Sequence, residues 1–100
     1  MDESKTSSEA RLPGQSAVFL DRDGTLIEDR GHLRDPREVV FFDETVEALR
    51  RLQAHARLFI VTNQSGVGKG LVTAEEAARV NAFVVEHLRR HGVLVTAVYC

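Results

Sequence analysis

Two aspartates separated by one residue, Asp21 and Asp23, follow the apolar run 17–20 and precede Gly24-Thr25. An apolar run bounded by turn-forming residues is typical of a strand that is buried on both faces. Two carboxylates held close together repel each other, and a bound Mg²⁺, which prefers carboxylate oxygens, offsets that repulsion. It also offsets the charge of a phosphate monoester. One carboxylate can then attack phosphorus while the other transfers protons.

The D-x-D-G-T string has two other interpretations. An aspartate-rich turn is the simpler one, because Asp and Gly are common in turns for local backbone reasons. The position of the whole string directly behind an apolar strand favours the catalytic interpretation. A calcium-binding loop is excluded, because no helix precedes Asp21 and no D-x-[DN]-x-[DN]-G pattern with a Glu at its twelfth position fits.

A second polar cluster, Thr62-Asn63, follows the apolar run 58–61. By itself such a cluster can simply satisfy the last carbonyls of a strand. Its position at the same predicted sheet edge as Asp21 favours a functional role. A hydroxyl and an amide at that edge can donate hydrogen bonds to phosphate oxygens.

Residues 66–70 form a glycine-rich stretch that contains Lys69. The stretch is not a Walker A loop, because Gly70 stands where Ser or Thr is needed after the lysine. It is not a dinucleotide fingerprint either, because Leu71 occupies the position of the last glycine. We predict a flexible connection that brings backbone amides and Lys69 near an anionic ligand. A solvated surface charge is an equally good interpretation of Lys69.

The spacing of apolar residues predicts the strands and helices that carry these side chains. Three apolar runs predict strands, at 17–20, 58–61 and within 93–100, with another short strand at 39–42 and a loop or flap at 28–38. Asp43 is predicted to cap a helix over about 44–55. Thr73 begins a capping box, followed by a helix that ends at His91-Gly92 and whose apolar face holds Ala77, Val80, Val84 and Leu88.

This order predicts an α/β domain, a Rossmann-like three-layer fold with a parallel sheet. Ligands of such sheets bind beyond the carboxyl ends of the strands, where both polar clusters fall.

The composition limits the classes of function. The chain has 100 residues, 43% of them hydrophobic, and a net charge of −2. It fits one domain over 16–100 behind a polar leader at 1–15. No basic surface for nucleic acid, membrane-spanning run or secretory signal is evident. One cysteine permits no internal disulfide, so we expect a cytoplasmic protein, and the absence of a heptad seam favours a monomer.

The strings F-L-D-R-D-G-T at 19–25 and V-T-N-Q-S-G-V at 61–67 resemble the haloacid dehalogenase (HAD) superfamily of phosphatases. Within it they are similar to the branch of D-glycero-D-manno-heptose 1,7-bisphosphate phosphatases and histidinol phosphatases. The resemblance covers about 18–100. It implies Mg²⁺-dependent hydrolysis of a small phosphate monoester through an aspartyl-phosphate.

The resemblance also implies roles for individual residues. Asp21 would be the nucleophile. Asp23 would be the general acid/base, and its backbone carbonyl would join Asp21 on Mg²⁺. Thr62 would bind the transferred phosphoryl group. Further positions implied to lie at the substrate are Asp29, Arg30, Gly31, His32, Asn63, Gln64 and Ser65, although Arg30 and His32 fit plain surface residues equally well.

The resemblance also implies that Cys100 is a possible ligand of a structural Zn²⁺ in a longer protein, because the heptose branch begins a zinc-binding loop at this place. A buried small hydrophobe is the other interpretation of a lone cysteine. The superfamily also uses a later lysine and a later acidic residue, for which these 100 residues hold no match. The resemblance therefore implies an N-terminal portion of a longer enzyme, with a fold cut after the third strand. Two alternatives stay open: histidinol-phosphate hydrolysis, and an inactive anion- or metal-binding remnant. A small interaction domain has little support in the sequence.

Overall fold

The computed structural model describes residues 16–63 and 65–100, so the predicted leader at 1–15 and Gln64 lie outside the described residues. The predicted alternation of strands and helices is confirmed. The elements in chain order are β1 (Ser16–Asp21), a 3-10 helix (Pro36–Glu38), α1 (Thr45–Gln53), β2 (Ala56–Val61), α2 (Ser65–Gly68), α3 (Ala74–Arg90) and β3 (Val95–Tyr99).

The three strands form one parallel sheet in the order β1-β2-β3. At its carboxyl edge Asp21 lies beside Val61, and Val61 lies beside Tyr99. The ladder continues one residue further, because the Arg22 amide donates to the Val61 carbonyl at 3.1 Å and the Thr62 amide donates to the Tyr99 carbonyl at 2.8 Å. The register therefore brings the two predicted polar clusters together at one edge of the sheet.

One face of the sheet carries the hydrophobic core. Leu58 and Ile60 of β2 are 1% exposed and pack against both long helices. Burial of this apolar surface is the main force that holds the helices on the sheet. The helix residues in this core are Leu49 of α1 and Val80, Val84 and Leu88 of α3.

The opposite face of the sheet corrects the expectation that its strands are buried on both faces. Phe19 and Tyr99 are 59% and 51% exposed, and Phe59 stacks between them with ring centroids 4.9 and 6.0 Å away. The reason is that both long helices lie on the core side. Of the three layers expected, residues 16–63 and 65–100 supply the sheet and one helical layer.

The starts of the helices were predicted with mixed success. Thr73 forms its capping box with Glu76, through a 3.0 Å bond from the Glu76 amide to the Thr73 hydroxyl and a 2.9 Å bond from the Thr73 amide to the Glu76 carboxylate. The prediction that Asp43 caps α1 is wrong. Glu44 occupies the cap position without a side-chain cap bond, and the Thr45 hydroxyl bonds the Leu26 carbonyl at 2.7 Å instead.

Two local predictions need smaller corrections. Residues 39–42 make only an isolated antiparallel bridge, between Phe41 and Ile27, and no strand. The glycine-rich stretch was predicted to be a flexible connection, and its first part, up to Gly68, belongs to the short helix α2. The turn that follows is closed by Gly70, whose amide donates to the Val67 carbonyl at 3.0 Å.

Candidate active site

A tight turn places Asp21 and Asp23 at the carboxyl edge of the sheet. Gly24 has φ of 81°, a conformation that side chains disfavour, and its amide donates to the Ile27 carbonyl at 2.8 Å. The Arg22 carbonyl accepts from the Leu26 and Ile27 amides at 3.0 and 3.2 Å. The turn is therefore fixed by backbone bonds on both sides of Asp23. Asp21 is exposed, whereas Asp23 is partly buried.

The residue between the two aspartates is itself buried. Arg22 is 6% exposed and donates to both carboxylate oxygens of Asp23, from Nε at 3.1 Å and from Nη2 at 3.0 Å. Its Nη1 donates to the Asn81 side-chain oxygen at 2.6 Å. The carboxylate of Asp23 is thus held by a two-point charged contact, which fixes both its position and its plane.

A flap reaches over this edge of the sheet from the segment after the turn. Its two arms are joined by bonds from the Glu28 amide to the Val40 carbonyl at 2.8 Å and from the Phe42 amide to the Leu26 carbonyl at 3.3 Å. Leu33, 5% exposed, anchors the flap in the core. The loop or flap predicted at 28–38 is therefore confirmed, and its two ends lie side by side in space.

An open cleft of about 380 Å³ lies between the flap and the strand ends, within the size range of small-molecule sites. Seven of the predicted site residues line it together: Asp21, Asp23, Asp29, Gly31, His32, Thr62 and Asn63. Arg22 and Val61 complete its lining. The structure therefore brings together most of the side chains that the sequence assigned to one site.

Two other predicted site residues, Arg30 and Cys100, lie outside this lining. Arg30 is exposed and pairs with Glu28, with 3.4 Å between the Arg30 Nε and a Glu28 carboxylate oxygen. Ser65 begins α2, next to the cleft in sequence. Gln64 lies outside the described residues. Cys100 is exposed and lines a different surface pocket beside α3.

His32 is packed against the backbone of α2. A Cβ atom added to Gly66 would stand 2.6 Å from the His32 Nδ1 and 3.2 Å from a methyl group of Val72. The absence of a side chain at Gly66 therefore lets the His32 imidazole lie against this helix at the rim of the cleft. This contact gives Gly66 a steric role that its place in a glycine-rich string did not reveal.

The oxygen-rich lining suits Mg²⁺, which binds through one or two carboxylates and completes its shell with water or phosphate. Across residues 16–63 and 65–100, no three His, Cys, Asp or Glu side chains stand close enough to form a metal cage. Because both oxygens of Asp23 accept from Arg22, Asp21 is the carboxylate better placed to ligate a cation. The oxygen atoms of this lining therefore fit a Mg²⁺ ion that takes its remaining ligands from water or phosphate.

Two residues of this site were not predicted from the sequence. The sequence patterns assign no role to Arg22 or Asn81. A signal for Asn81 exists, because it lies four residues after Ala77 and beside Val80 on the apolar face of α3. A polar residue on a buried helix face requires a partner, and Arg22 is that partner.

Comparison with known proteins gives close relatives. The chain is 42% identical over 83 residues to the protein named "Probable D-glycero-D-manno-heptose-1,7-bisphosphate 7-phosphatase" of Thermoplasma acidophilum, a match covering 82% of this chain and 52% of that protein. It is 35% identical over 86 residues to the D-glycero-beta-D-manno-heptose-1,7-bisphosphate 7-phosphatase of Pasteurella multocida, covering 85% of this chain and 47% of that protein. No protein-family model matches the chain.

Among solved structures, the D,D-heptose 1,7-bisphosphate phosphatase from B. bronchiseptica, complexed with magnesium and phosphate, matches with a TM-score of 0.77 and 28% identity. That match covers 85% of this chain and 49% of the solved one. The chain thus spans about half the length of the relatives it matches. Within 16–63 and 65–100, no helix is both long and apolar enough to cross a bilayer.

Proposed function

We propose that this chain belongs to the haloacid dehalogenase-like phosphatases and that its full-length gene product is a Mg²⁺-dependent phosphatase of a small sugar bisphosphate. The observation that carries this proposal is the common cleft that holds Asp21, Asp23 and Thr62 at the carboxyl edge of a parallel sheet. D-glycero-D-manno-heptose 1,7-bisphosphate is the substrate we propose first, because relatives that match most of this chain are named as phosphatases of that compound.

The proposed reaction has two halves. A carboxylate oxygen of Asp21 attacks phosphorus, the bond from phosphorus to the ester oxygen breaks, and Asp23 gives its proton to the departing oxygen. Water then attacks the phosphorus of the aspartyl-phosphate while Asp23 takes up the proton of the water. Inorganic phosphate leaves, and Asp21 is regenerated as a carboxylate.

Mg²⁺ would be held by the Asp21 carboxylate and the Asp23 backbone carbonyl, and when bound it offsets the negative charge of the phosphoryl oxygens. The contact between Arg22 and the Asp23 side chain agrees with this division, because it leaves Asp23 to contribute its backbone oxygen. Thr62 lines the cleft and its backbone amide donates to the Tyr99 carbonyl, which supports our proposal that its hydroxyl donates to the transferred phosphoryl group.

The experiment is phosphate release by the full-length gene product with Mg²⁺, from the heptose bisphosphate and from histidinol phosphate in parallel. Asp21→Asn should abolish release, and Asp43→Asn, an exposed aspartate away from the cleft, should leave it unchanged. Faster turnover of histidinol phosphate would reassign the substrate. No release from either compound would overturn the proposal and favour a binding remnant. Undiminished release by Asp21→Asn would overturn the mechanism, because Asp21 could then not be the nucleophile.

A further inference from the structure

We propose that Arg22 and Asn81 form a positioning relay that orients Asp23 for proton transfer. The inference rests on the proposed function, since it assigns a purpose to a contact at the same cleft. The relay runs from Asn81 on α3, through the buried guanidinium of Arg22, to both oxygens of the Asp23 carboxylate. Neither Arg22 nor Asn81 is a catalytic residue in this account, because each acts through Asp23.

The guanidinium of Arg22 is buried. A guanidinium that is 6% exposed has lost most of its hydration, and partners of good geometry compensate that loss only in part. Replacing such a buried ion pair by apolar residues of similar volume is often neutral or stabilising. Fold stability alone therefore gives little reason to place an arginine here, whereas a need to hold the neighbouring carboxylate does.

The contact between Arg22 and Asp23 has a geometry that only a guanidinium provides. The two bonds to Asp23 come from Nε and Nη2, the parallel pair of donors that matches a carboxylate edge. A carboxyl group has about four lone-pair sites, so this contact uses one on each oxygen and leaves another on each oxygen, facing the cleft, for the proton that Asp23 gives and takes up. A lysine offers a single ammonium point and cannot fix the carboxylate plane in the same way.

Both Arg22 and Asn81 are held in place by the surrounding fold. The Arg22 amide donates to the Val61 carbonyl, and the Arg22 carbonyl accepts from the amides of the turn. Asn81 is fixed by its helix, because its neighbours Val80 and Val84 are 0% and 1% exposed in the core. The orientation of the Asp23 carboxylate is therefore tied to the packing of α3 on the sheet, and a small displacement at this point is costly for proton transfer.

A competing role for Arg22 is direct binding of a substrate phosphate, because it also lines the cleft. The two roles predict different kinetic effects in the full-length gene product. A positioning role predicts that Arg22→Met lowers kcat by roughly 10- to 100-fold with KM changed by less than about threefold. Asn81→Ala should lower kcat in the same direction by a smaller factor, and Arg22→Lys should restore only part of the loss.

A double-mutant cycle makes the test specific. In the Asp23→Asn background, Arg22→Met should reduce kcat by less than about twofold, because the group that Arg22 orients no longer transfers protons. Arg51→Met serves as the matched control, since Arg51 is an exposed arginine that pairs with Glu47 on α1. A rise in KM without a fall in kcat, or the same loss in both backgrounds, would overturn the positioning role.

A readout independent of turnover separates this inference from the proposed function. In the NMR spectrum of the wild-type protein, the Arg22 Nε–H should be slow to exchange with solvent, and its Nη protons should resolve as separate signals. Asp23→Asn and Asn81→Ala should each speed that exchange, whereas Arg51→Met should not. A rapidly exchanging Arg22 guanidinium in the wild type would overturn the relay, even if phosphate is released normally.

Discussion

The backbone of Gly66 lies against the imidazole of His32, so closely that a Cβ on Gly66 would stand 2.6 Å from the His32 Nδ1. The two residues belong to different elements, α2 and the flap, and they meet at the rim of the cleft. This contact sets how closely the flap approaches α2. A side chain added at Gly66 would therefore displace His32, the histidine that is predicted to lie at the substrate.

Substitution of Gly66 tests that link. Gly66→Ala should push the His32 imidazole out of its place, because the separation is far below any contact that real Cβ atoms make. If His32 contacts the substrate, KM should rise by roughly tenfold with a smaller effect on kcat. Steady-state kinetics of the full-length gene product, with the His32 ring signals followed by NMR, are the measurements.

Gly68 provides the matched control within the same helix. A Cβ added there would meet nothing within 4 Å, so Gly68→Ala should leave both KM and the His32 signals unchanged. An unchanged KM in Gly66→Ala together with displaced His32 signals would contradict a substrate-binding role for His32.

The buried hydroxyl of Thr45 is expected to stabilise the fold around the site. It donates to the Leu26 carbonyl at 2.7 Å, four residues after Arg22, and Thr45 is 6% exposed. Thr45→Val keeps the shape of the side chain but leaves that buried carbonyl without this donor, which should cost about 1–3 kcal/mol. Urea denaturation checks the value, and Thr96→Val, at an exposed threonine of β3, should change stability by less than about 0.5 kcal/mol.

His87 should make stability depend on pH below neutrality. Partial burial, and secondarily the nearby His91 and Arg90, lower the pKa of His87 below its usual value of 6.5. Its ring stacks on Phe41 with 4.1 Å between ring centroids. As pH falls below 6.5, the unfolded chain takes up a proton before the folded one does. The free energy of unfolding therefore falls with pH until the folded-state pKa is passed.

Thermal unfolding of the His87→Phe variant between pH 7.5 and 5.5 tests this expectation. Phenylalanine keeps an aromatic ring against Phe41 and removes the titrating group, so Tm should fall less with pH than in the wild type. His55→Gln, at an exposed histidine, should retain the wild-type slope. Equal slopes in all three proteins would show that His87 does not supply the pH dependence.

The strands and the parallel sheet were predictable because apolar runs such as 58–61 are bounded by turn formers, and the long helices because their apolar residues recur at helical spacing. The capping box at Thr73 is a local signal and was read correctly. The start of α1 was not, because the hydroxyl of Thr45 bonds the Leu26 carbonyl of a distant loop. A tertiary contact of that kind leaves no trace in the sequence near Asp43.

The candidate site shows the same division. Asp21 and Thr62 were placed at one edge because parallel strands end together. The partnership of Arg22 with Asn81 joins residues 59 positions apart, so no local pattern predicts it. The exposure of Phe19 and Tyr99 also escaped prediction, because an apolar strand does not reveal which helices cover each of its faces.

The nucleophile of the proposed reaction, the Asp21 carboxylate, can be identified directly. Borohydride added to the full-length gene product during turnover with Mg²⁺ and the heptose bisphosphate reduces an aspartyl-phosphate to homoserine, which mass spectrometry locates in the sequence. We predict homoserine at position 21, dependent on substrate and at no other aspartate. Phosphate release without homoserine at that position, or with homoserine at position 23 instead, would contradict the assignment of Asp21 as the nucleophile.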